Sequence, residues 1–243
     1  MNEAGLTLTV LGCSGSCPAP GGACSGYLVD DGDTHLWIDA GSGTLANLQR
    51  HIAVDAVDAV VLTHEHPDHW TDLEGFVNAI RYIAPREGVP VYAPAGLRAR
   101  TYTETEPNLA WRTVADGARA KIGALELSFS RTDHGPETLA VRVDGGGRSL
   151  GYSADTGPAW SLEALGPGLD LALCEATIPE HLEGTMQHLS AGQAGMSAKR
   201  AGAGRLLLTH LWPTRDPDEA RGEGAAAFGG PVEVAVVGGR YEI

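Results

Sequence analysis

The pattern of apolar and polar positions predicts a similar order of elements in each half of the chain. In both halves strands come first and are followed by strands mixed with helices. In the first half the predicted strands are Leu6–Leu11, Gly26–Val29, His35–Asp39 and Ala59–Leu62. In the second half they are Leu125–Ser130, Leu139–Val143, Ser149–Tyr152, Leu169–Leu173, Arg205–Leu208, Val232–Val237 and Arg240–Ile243. Strands and helices mixed in both halves predict an α/β sandwich that forms one domain over residues 1–243.

Helical spacing and capping residues predict four helices between these strands. They are Thr44–Ile52, Asp72–Ile83, a segment over 190–201 and a segment that begins at Asp216. The second helix has an apolar face composed of Leu73, Phe76, Val77, Ile80 and Ile83. Ser190 with Gln193 three residues later is typical of a capping box. Three consecutive glycines at 145–147 predict a hairpin turn between two strands.

Charge and hydropathy exclude several classes of protein. The chain has 31 acidic and 17 basic side chains, a formal charge of −14, so we do not expect it to coat nucleic acid or anionic membrane. No apolar run approaches the roughly 18 to 20 residues that span a bilayer. The first residues include Glu3 and no Lys or Arg before a short apolar stretch, which is untypical of a signal peptide. We therefore expect a cytoplasmic protein.

The cysteines predict no disulfide framework. Four of them, Cys13, Cys17, Cys24 and Cys174, are too few for a chain of this length. We expect reduced thiols. The alternative, a structural zinc site at the first three, lacks a tight Cys-x-x-Cys pair, and their role stays open.

The strongest chemical signal is Thr63-His64-Glu65-His66-Pro67-Asp68-His69, directly after a predicted buried strand. Three imidazoles and a carboxylate within six residues are costly to bury without a partner, and a metal ion supplies one. Imidazole nitrogen and carboxylate oxygen suit Zn²⁺, Fe or Mn²⁺. Alternate side chains of an extended loop share a face, so His64 and His66 could hold one ion while Asp68 and His69 turn towards a second. The alternative is an exposed histidine-rich turn.

Three further polar residues stand just beyond predicted strands: His134, Asp155 and His210. Open sheets collect active-site residues at such strand ends. Each alone is more typical of a loop residue, but after the histidine motif we expect all three to be metal ligands.

Together these motifs resemble the metallo-β-lactamase fold superfamily and, within it, the tRNase Z-like phosphodiesterase branch. The opening Leu11-Gly12-Cys13-Ser14-Gly15-Ser16 with Pro18, and the segment Trp37-Ile38-Asp39-Ala40-Gly41, are similar to motifs of that branch. The resemblance implies an αβ/βα four-layer sandwich and two divalent metal ions, with Zn²⁺ expected and Mn²⁺ or Fe as alternatives. It places one ion at His64, His66 and His134 and the other at Asp68, His69 and His210, with Asp155 bridging and Asp39 supporting the ligands.

Two more segments extend the similarity. Cys174-Glu175-Ala176-Thr177 matches a His-Glu-Ala-Thr motif of the branch except at Cys174, which leaves any role of that histidine without a counterpart here. The resemblance implies that His188, before the capping box, donates a proton to the leaving oxygen. The alternative is an ordinary polar residue ahead of a helix. We expect Glu175 to have a supporting or structural role, and Asp68 to accept the proton of the attacking water as well as bind metal.

The expected activity is metal-dependent hydrolysis of a small phosphodiester such as a 3′,5′-cyclic nucleotide, as proposed for compact bacterial relatives that this chain resembles. A tRNA 3′-end endoribonuclease is the alternative. The absence of a long inserted arm in the sequence and the charge of −14 both weaken that alternative, and we expect no stable nucleic-acid binding. The resemblance also allows a homodimer.

Other classes remain open because one fold hosts several reactions. Lactone, thioester, sulfate-ester and β-lactam hydrolases share the same arrangement of metal ligands. A non-catalytic metal-binding protein is the least expected class, because it would not need the complete set of ligands. Diiron redox relatives usually carry Glu where this chain has His66. Four aromatic residues near the ligands are either a base-binding pocket or core and rim residues: Trp70, Phe76, Tyr82 and Trp212.

Overall fold

A computed structural model describes residues 5–243, so Glu3 and the start of the predicted domain lie outside the described residues. Strands β1 to β6 are Thr7–Gly12, Gly26–Asp30, His35–Ile38, Ala59–Val61, Val89–Ala93 and Leu109–Thr113. Strands β7 to β14 are Arg119–Ile122, Leu125–Arg131, Leu139–Gly145, Arg148–Tyr152, Leu171–Glu175, Arg205–Thr209, Val232–Val234 and Arg240–Glu242. They form two seven-stranded sheets, ordered β14-β1-β2-β3-β4-β5-β6 and β13-β12-β11-β10-β9-β8-β7.

Helices cover the outer face of each sheet. The helices are α1 (Thr44–Leu48), α2 (Asp72–Asn78), α3 (Ala191–Arg200) and α4 (Pro217–Phe228). Side chains of α1 and α2 share an apolar cluster with the first sheet, and those of α3 and α4 share another with the second sheet. A third cluster fills the space between the sheets. This arrangement confirms the predicted four-layer α/β sandwich. Among the described helices, none has both the length and the apolar character needed to cross a membrane.

Strands in the middle of each sheet are apolar on both faces. In β4, Val61 lies in the core between the sheets, whereas Val60 packs beneath the helices. In β12, Leu207 faces the other sheet and Leu208 faces α3 and α4. Because successive side chains of a strand point to opposite faces, a strand covered on both sides requires an unbroken apolar run. This requirement explains the apolar runs in the sequence from which β4 and β12 were predicted.

Two local predictions are confirmed, the capping box at Ser190 and the hairpin turn at the three glycines. The Ser190 hydroxyl accepts a hydrogen bond from Gln193 N (3.1 Å), and Gln193 Oε1 accepts one from Ser190 N (3.0 Å), which completes the capping box of α3. Between β9 and β10, Gly146 and Gly147 have φ of 57° and 73°. A two-residue hairpin loop with two positive φ values favours glycine at both positions.

Two predicted helices end earlier than expected. Helix α1 ends at Leu48, and residues 49–52 continue as hydrogen-bonded turns. Helix α2 is followed by a π-helical turn over Ala79–Ile83, in which Ala84 N donates to Ala79 O. The wider turn rotates the following side chains away from the predicted face. Ile83 is therefore 81% exposed, and its predicted place on the apolar face is wrong.

Strands β5, β6 and β7 were missed by the sequence patterns. Pro90 lies inside β5, where proline argues against a strand. Strand β6 alternates poorly, and the edge strand β7 consists largely of exposed or half-buried residues, including Arg119 and Lys121. Charged residues are usual on edge strands because they discourage pairing with other chains.

We expect Leu207→Ala to lower the free energy of unfolding by about 2–5 kcal/mol, because it opens a cavity between the sheets at a side chain only 1% exposed. The matched aliphatic control is Ile83→Ala, for which we expect a change below about 0.5 kcal/mol. Guanidinium unfolding of both variants measures the difference. Equal losses would contradict the assignment of Leu207 to the core.

Candidate metal centre

The candidate ligands converge at one edge of the sandwich, where strands of both sheets end. The histidine motif follows β4, Asp155 stands three residues beyond β10, and His210 directly follows β12. Asp39, Ala154 and His210 have φ of 56°, 50° and 58°, in the left-handed region that non-glycine residues rarely adopt. Unfavourable backbone conformations of this kind persist where the surrounding structure fixes them.

The first group of ligand-type atoms belongs to His64, His66, His134 and Asp155, all within 4.8 Å of one another. His66 Nδ1 lies 3.2 Å from Nε2 of His64 and 3.2 Å from Nε2 of His134. Asp155 Oδ2 lies 3.6 Å and 3.9 Å from the same two Nε2 atoms. Three nitrogens and one oxygen thus surround a single point.

The second group belongs to Asp68, His69 and His210. The Nε2 atoms of His69 and His210 are 3.2 Å apart, and Asp68 Oδ2 lies 3.6 Å and 3.2 Å from them. Asp155 Oδ1 faces this group, 3.3 Å from His69 Nε2 and 3.5 Å from His210 Nε2. Asp155 therefore presents one oxygen to each group.

Hydrogen bonds on the far side of each ring assign the tautomers of four histidines. His69 Nδ1 donates to Asp39 Oδ2 (2.8 Å) and His134 Nδ1 to the carbonyl of Gln187 (2.9 Å). His64 Nδ1 donates to the hydroxyl of Thr63 (3.0 Å), and His210 Nδ1 to that of Thr177 (2.8 Å). We assign these directions because each hydroxyl gives its own hydrogen to a carboxylate. All four Nε2 atoms then point into the centre, and each offers a lone pair to a cation when its ring is neutral.

This donor set fits a metal ion better than a hydrogen-bond network. Asp155 Oδ1 is buried and has no hydrogen-bond partner within residues 5–243. Although burial opposes it, the carboxylates of Asp155 and Asp39 raise the pKa of His69 well above its ordinary value, so the pocket attracts positive charge. Unprotonated nitrogens and carboxylate oxygens this close repel one another unless a cation lies between them. A divalent cation matches both the donors and the charge.

Asp39 supports the ligands from a fully buried position. Its Oδ1 accepts a hydrogen bond from Thr63 N (2.8 Å), and its Oδ2 accepts from the Thr63 hydroxyl (2.9 Å), from His69 and from Tyr152 (3.0 Å). Nearby, Gly41 allows the motif loop to approach: a Cβ at that position would lie 2.0 Å from the carbonyl oxygen of Asp68. Asp39 and Gly41 together fix the loop that carries Asp68 and His69.

Glu175 supports the site residues from the second half of the chain, as Asp39 supports those from the first half. Its buried carboxylate accepts hydrogen bonds from Thr156 N, Leu189 N, the Thr177 hydroxyl and His188 Nδ1, the last at 2.9 Å. Burial lowers the pKa of His188, but the hydrogen bond and charge of Glu175 outweigh it and raise the pKa to about 9. Imidazolium at His188 is therefore favoured at neutral pH.

His188 stands beside the second group, with a nitrogen within 4.8 Å of ligand-type atoms of Asp155 and His210. Its ring is 5.7 Å from that of His210 and 5.1 Å from that of His134. The structure thus brings all seven predicted ligands together, with Asp39, Glu175 and His188 around them.

Two supporting residues had no sequence signal. Tyr152 reads as an ordinary strand residue, and Gln187 as a loop residue. Of the four aromatic residues considered for a base pocket, Trp70 and Phe76 are core residues, and Tyr82 is 73% exposed. Trp212 is half-buried, and its Nε1 donates to the hydroxyl of Ser16 (3.2 Å). Trp212 is connected to the rim of the centre through Ser16, because Ser16 N also donates to Asp68.

The cysteines belong to neither group of ligand-type atoms. Cys13, Cys17, Cys24 and Cys174 are free thiols, and none belongs to a candidate metal cluster in the described part of the chain. Burial raises the pKa of Cys13 to about 11 and of Cys174 to about 12, which keeps these two thiols protonated.

Comparison with known proteins identifies the family. The family model described as "Beta-lactamase superfamily domain" matches residues 34–211. The chain belongs to the beta-lactamase superfamily. The two facing sheets with outer helices are the metallo-β-lactamase fold, as the sequence resemblance implied, and tRNase Z-like proteins are among the relatives.

Three relatives place the chain within that superfamily. An uncharacterised protein of Mycobacterium tuberculosis is 36% identical over 98% of this chain and 92% of its own length. YhfI of Bacillus subtilis, named a "probable metallo-hydrolase", is 31% identical over 98% of this chain and its full length. The crystal structure of YhfI, a metallo-beta-lactamase fold protein, has a TM-score of 0.92 and covers 98% of this chain and 99% of that one.

The third relative, ribonuclease Z of Mycobacterium bovis, is 27% identical over 94% of this chain and 95% of its own length. These similarities and the clustered histidines and aspartates identify the chain as a metal-dependent hydrolase of the metallo-β-lactamase fold with a candidate metal site.

We expect Asp155→Asn and Asp155→Ala to lose bound metal, because Asp155 faces both groups. Elemental analysis after reloading chelator-treated protein measures metal content. Divalent ions at a hundredfold excess over Kd should stabilise the wild type by about 2.7 kcal/mol for each ion bound, seen as a higher Tm, and leave the Tm of both variants unchanged. His181→Ala, at an exposed position outside the site, is the control. Full metal content in the Asp155 variants would exclude a bridging role.

Proposed function

We propose that this protein is a dinuclear metal-dependent phosphodiesterase, and that its substrate is a small phosphodiester such as a 3′,5′-cyclic nucleotide. The observation that carries the proposal is the position of Asp155, which directs one carboxylate oxygen to each of two ligand groups. His64, His66 and His134 would hold one ion and Asp68, His69 and His210 the other. Zinc suits this set of imidazoles and carboxylates.

When bound, two adjacent divalent ions would supply an activated water at neutral pH and would neutralise the charge that develops on an attacked phosphate. The protein's own groups handle the remaining proton transfers. Asp68, whose Oδ2 is held by Ser16 N (2.9 Å), accepts the proton of the attacking water.

His188 donates a proton to the leaving oxygen. Its Nδ1 is fixed by Glu175, so the ring presents its other nitrogen to substrate, and the carboxylate of Glu175 favours the protonated ring. Glu175 also orients His210 through Thr177. One buried carboxylate therefore aligns the proton donor with a ligand of the neighbouring ion.

The charge of the chain favours a small substrate over a polynucleotide. A protein of net charge −14 with 17 basic residues has few cations for the many phosphate contacts that hold tRNA. A cyclic nucleotide requires only the charge of the ions and a proton donor. The segment between Asp155 and His210 is filled by β11, α3, β12 and two short helical turns, Leu162–Leu165 and Glu180–Leu182, without a long inserted arm.

A tRNA 3′-end endoribonuclease is the second candidate. The observation that favours it is the similarity to ribonuclease Z of Mycobacterium bovis over 94% of this chain. The two candidates share the chemistry of phosphodiester cleavage and differ in how much of the substrate the protein grips.

Steady-state assays of the metal-loaded protein should discriminate among these reactions. We expect the highest kcat/KM with 3′,5′-cyclic AMP, measurable turnover of bis(p-nitrophenyl) phosphate, and little cleavage of a tRNA precursor or a lactone. A tRNA precursor as the best substrate would establish the second candidate. Hydrolysis of the lactone alone would exclude both.

We expect His188→Ala to keep its metal content and to lower kcat by about 10²–10⁴, because the variant lacks the proton donor but retains every ligand. The control is His181→Ala, which should match the wild type. Parallel elemental analysis separates a catalytic loss from metal loss. An unchanged kcat would make His188 an ordinary polar residue ahead of α3.

A further inference from the structure

One contact at the centre joins the two sheets directly. The hydroxyl of Tyr152, at the end of β10 in the second sheet, donates to Asp39 Oδ2, which follows β3 in the first sheet (3.0 Å). Both residues are at most 1% exposed. The other donors to Asp39, Thr63 and His69, come from the first sheet's own loop.

Tyr152 also belongs to the segment that carries the bridging carboxylate. Asp155 lies three residues after Tyr152, and the two are joined by Ser153 and Ala154, the latter with a left-handed φ of 50°. The same short segment thus positions Asp155 between the ligand groups and holds the carboxylate that orients His69. No other hydrogen bond to Asp39 links it to this segment within the described residues.

We infer that Tyr152 is a positioning residue, whose hydroxyl fixes the Asp39–His69 pair relative to Asp155 and thereby sets the affinity of the ion at Asp68, His69 and His210. Groups that orient metal ligands typically change affinity 10- to 100-fold when removed. His69 contacts Asp39 directly, whereas His64 is connected to it only through Thr63. The effect is therefore larger at the ion held by His69. This inference rests on the proposed dinuclear site.

The chain offers a matched control for the test. Tyr27 is also 1% exposed, and its ring lies 5.0 Å from that of Tyr152. Its hydroxyl is hydrogen-bonded to the Thr209 hydroxyl (2.6 Å) and is not among the donors to Asp39. Tyr152→Phe and Tyr27→Phe each remove one buried hydroxyl from the same part of the core, but only the first removes a donor to Asp39.

The experiment titrates full-length, chelator-treated protein with Zn²⁺ against a competing chelator, and with Co²⁺ followed by its absorption spectrum. We expect Tyr152→Phe to weaken one of two binding events about tenfold and to alter the corresponding Co²⁺ bands. Tyr27→Phe should bind both ions as the wild type does. In ¹⁵N-histidine-labelled zinc protein, the Nδ1 proton resonance of His69 should move only in Tyr152→Phe, because its acceptor has lost a donor.

Several outcomes would overturn the inference. Wild-type affinities for both ions in Tyr152→Phe exclude it, as does an equal loss in both variants, which would reflect any missing buried hydroxyl. A Tyr152→Phe chain that fails to fold while Tyr27→Phe folds also contradicts it, because a positioning role leaves the fold intact. A wild type that binds fewer than two ions would contradict the proposed function itself, which separates the two failures.

Discussion

The structure depends on one electrostatic constraint: carboxylates and imidazoles are buried between two apolar sheets. Asp39, His64 and His69 are fully buried, and Asp155 nearly so. Such groups are tolerated only when hydrogen bonds and charges compensate for the water they have lost. Asp39 meets this condition with four donors, whereas Asp155 Oδ1 has no donor in the described chain. A bound cation would supply the partner that Asp155 Oδ1 lacks.

The fold supplies the rigidity that this constraint demands. Unbroken apolar runs place β4 and β12 between the core of the sandwich and a helical layer, so the loops that follow these two strands begin from fixed points. Three residues with left-handed conformations, Asp39, Ala154 and His210, lie just after the ends of β3, β10 and β12. Each unfavourable backbone conformation costs about 1–2 kcal/mol, and the packed sheets on either side maintain it.

Each half of the sandwich has a buried carboxylate that organises its ligands. Asp39 orients His69 directly and His64 through Thr63. Glu175 orients His210 through Thr177 and holds His188 directly. Metal ligands in proteins usually have their second ring nitrogen fixed in this way, which sets the tautomer and the direction of the lone pair. In the second half, the carboxylate of Glu175 thus aligns both His188 and His210.

The sequence by itself determined the sandwich, the order of most strands, the capping box at Ser190 and all seven candidate ligands, because these depend on local periodicity and on dense histidine and aspartate motifs at strand ends. It missed β5 to β7, where Pro90 and the exposed, charged β7 obscure the pattern, and it misplaced Ile83, which a π-helical turn rotates to the surface. Only the tertiary structure decided that Tyr152 reaches Asp39 and that Gln187 holds His134, since these contacts join residues 113 and 53 positions apart. The sequence of a single strand or loop does not indicate which distant residue it contacts in the folded chain.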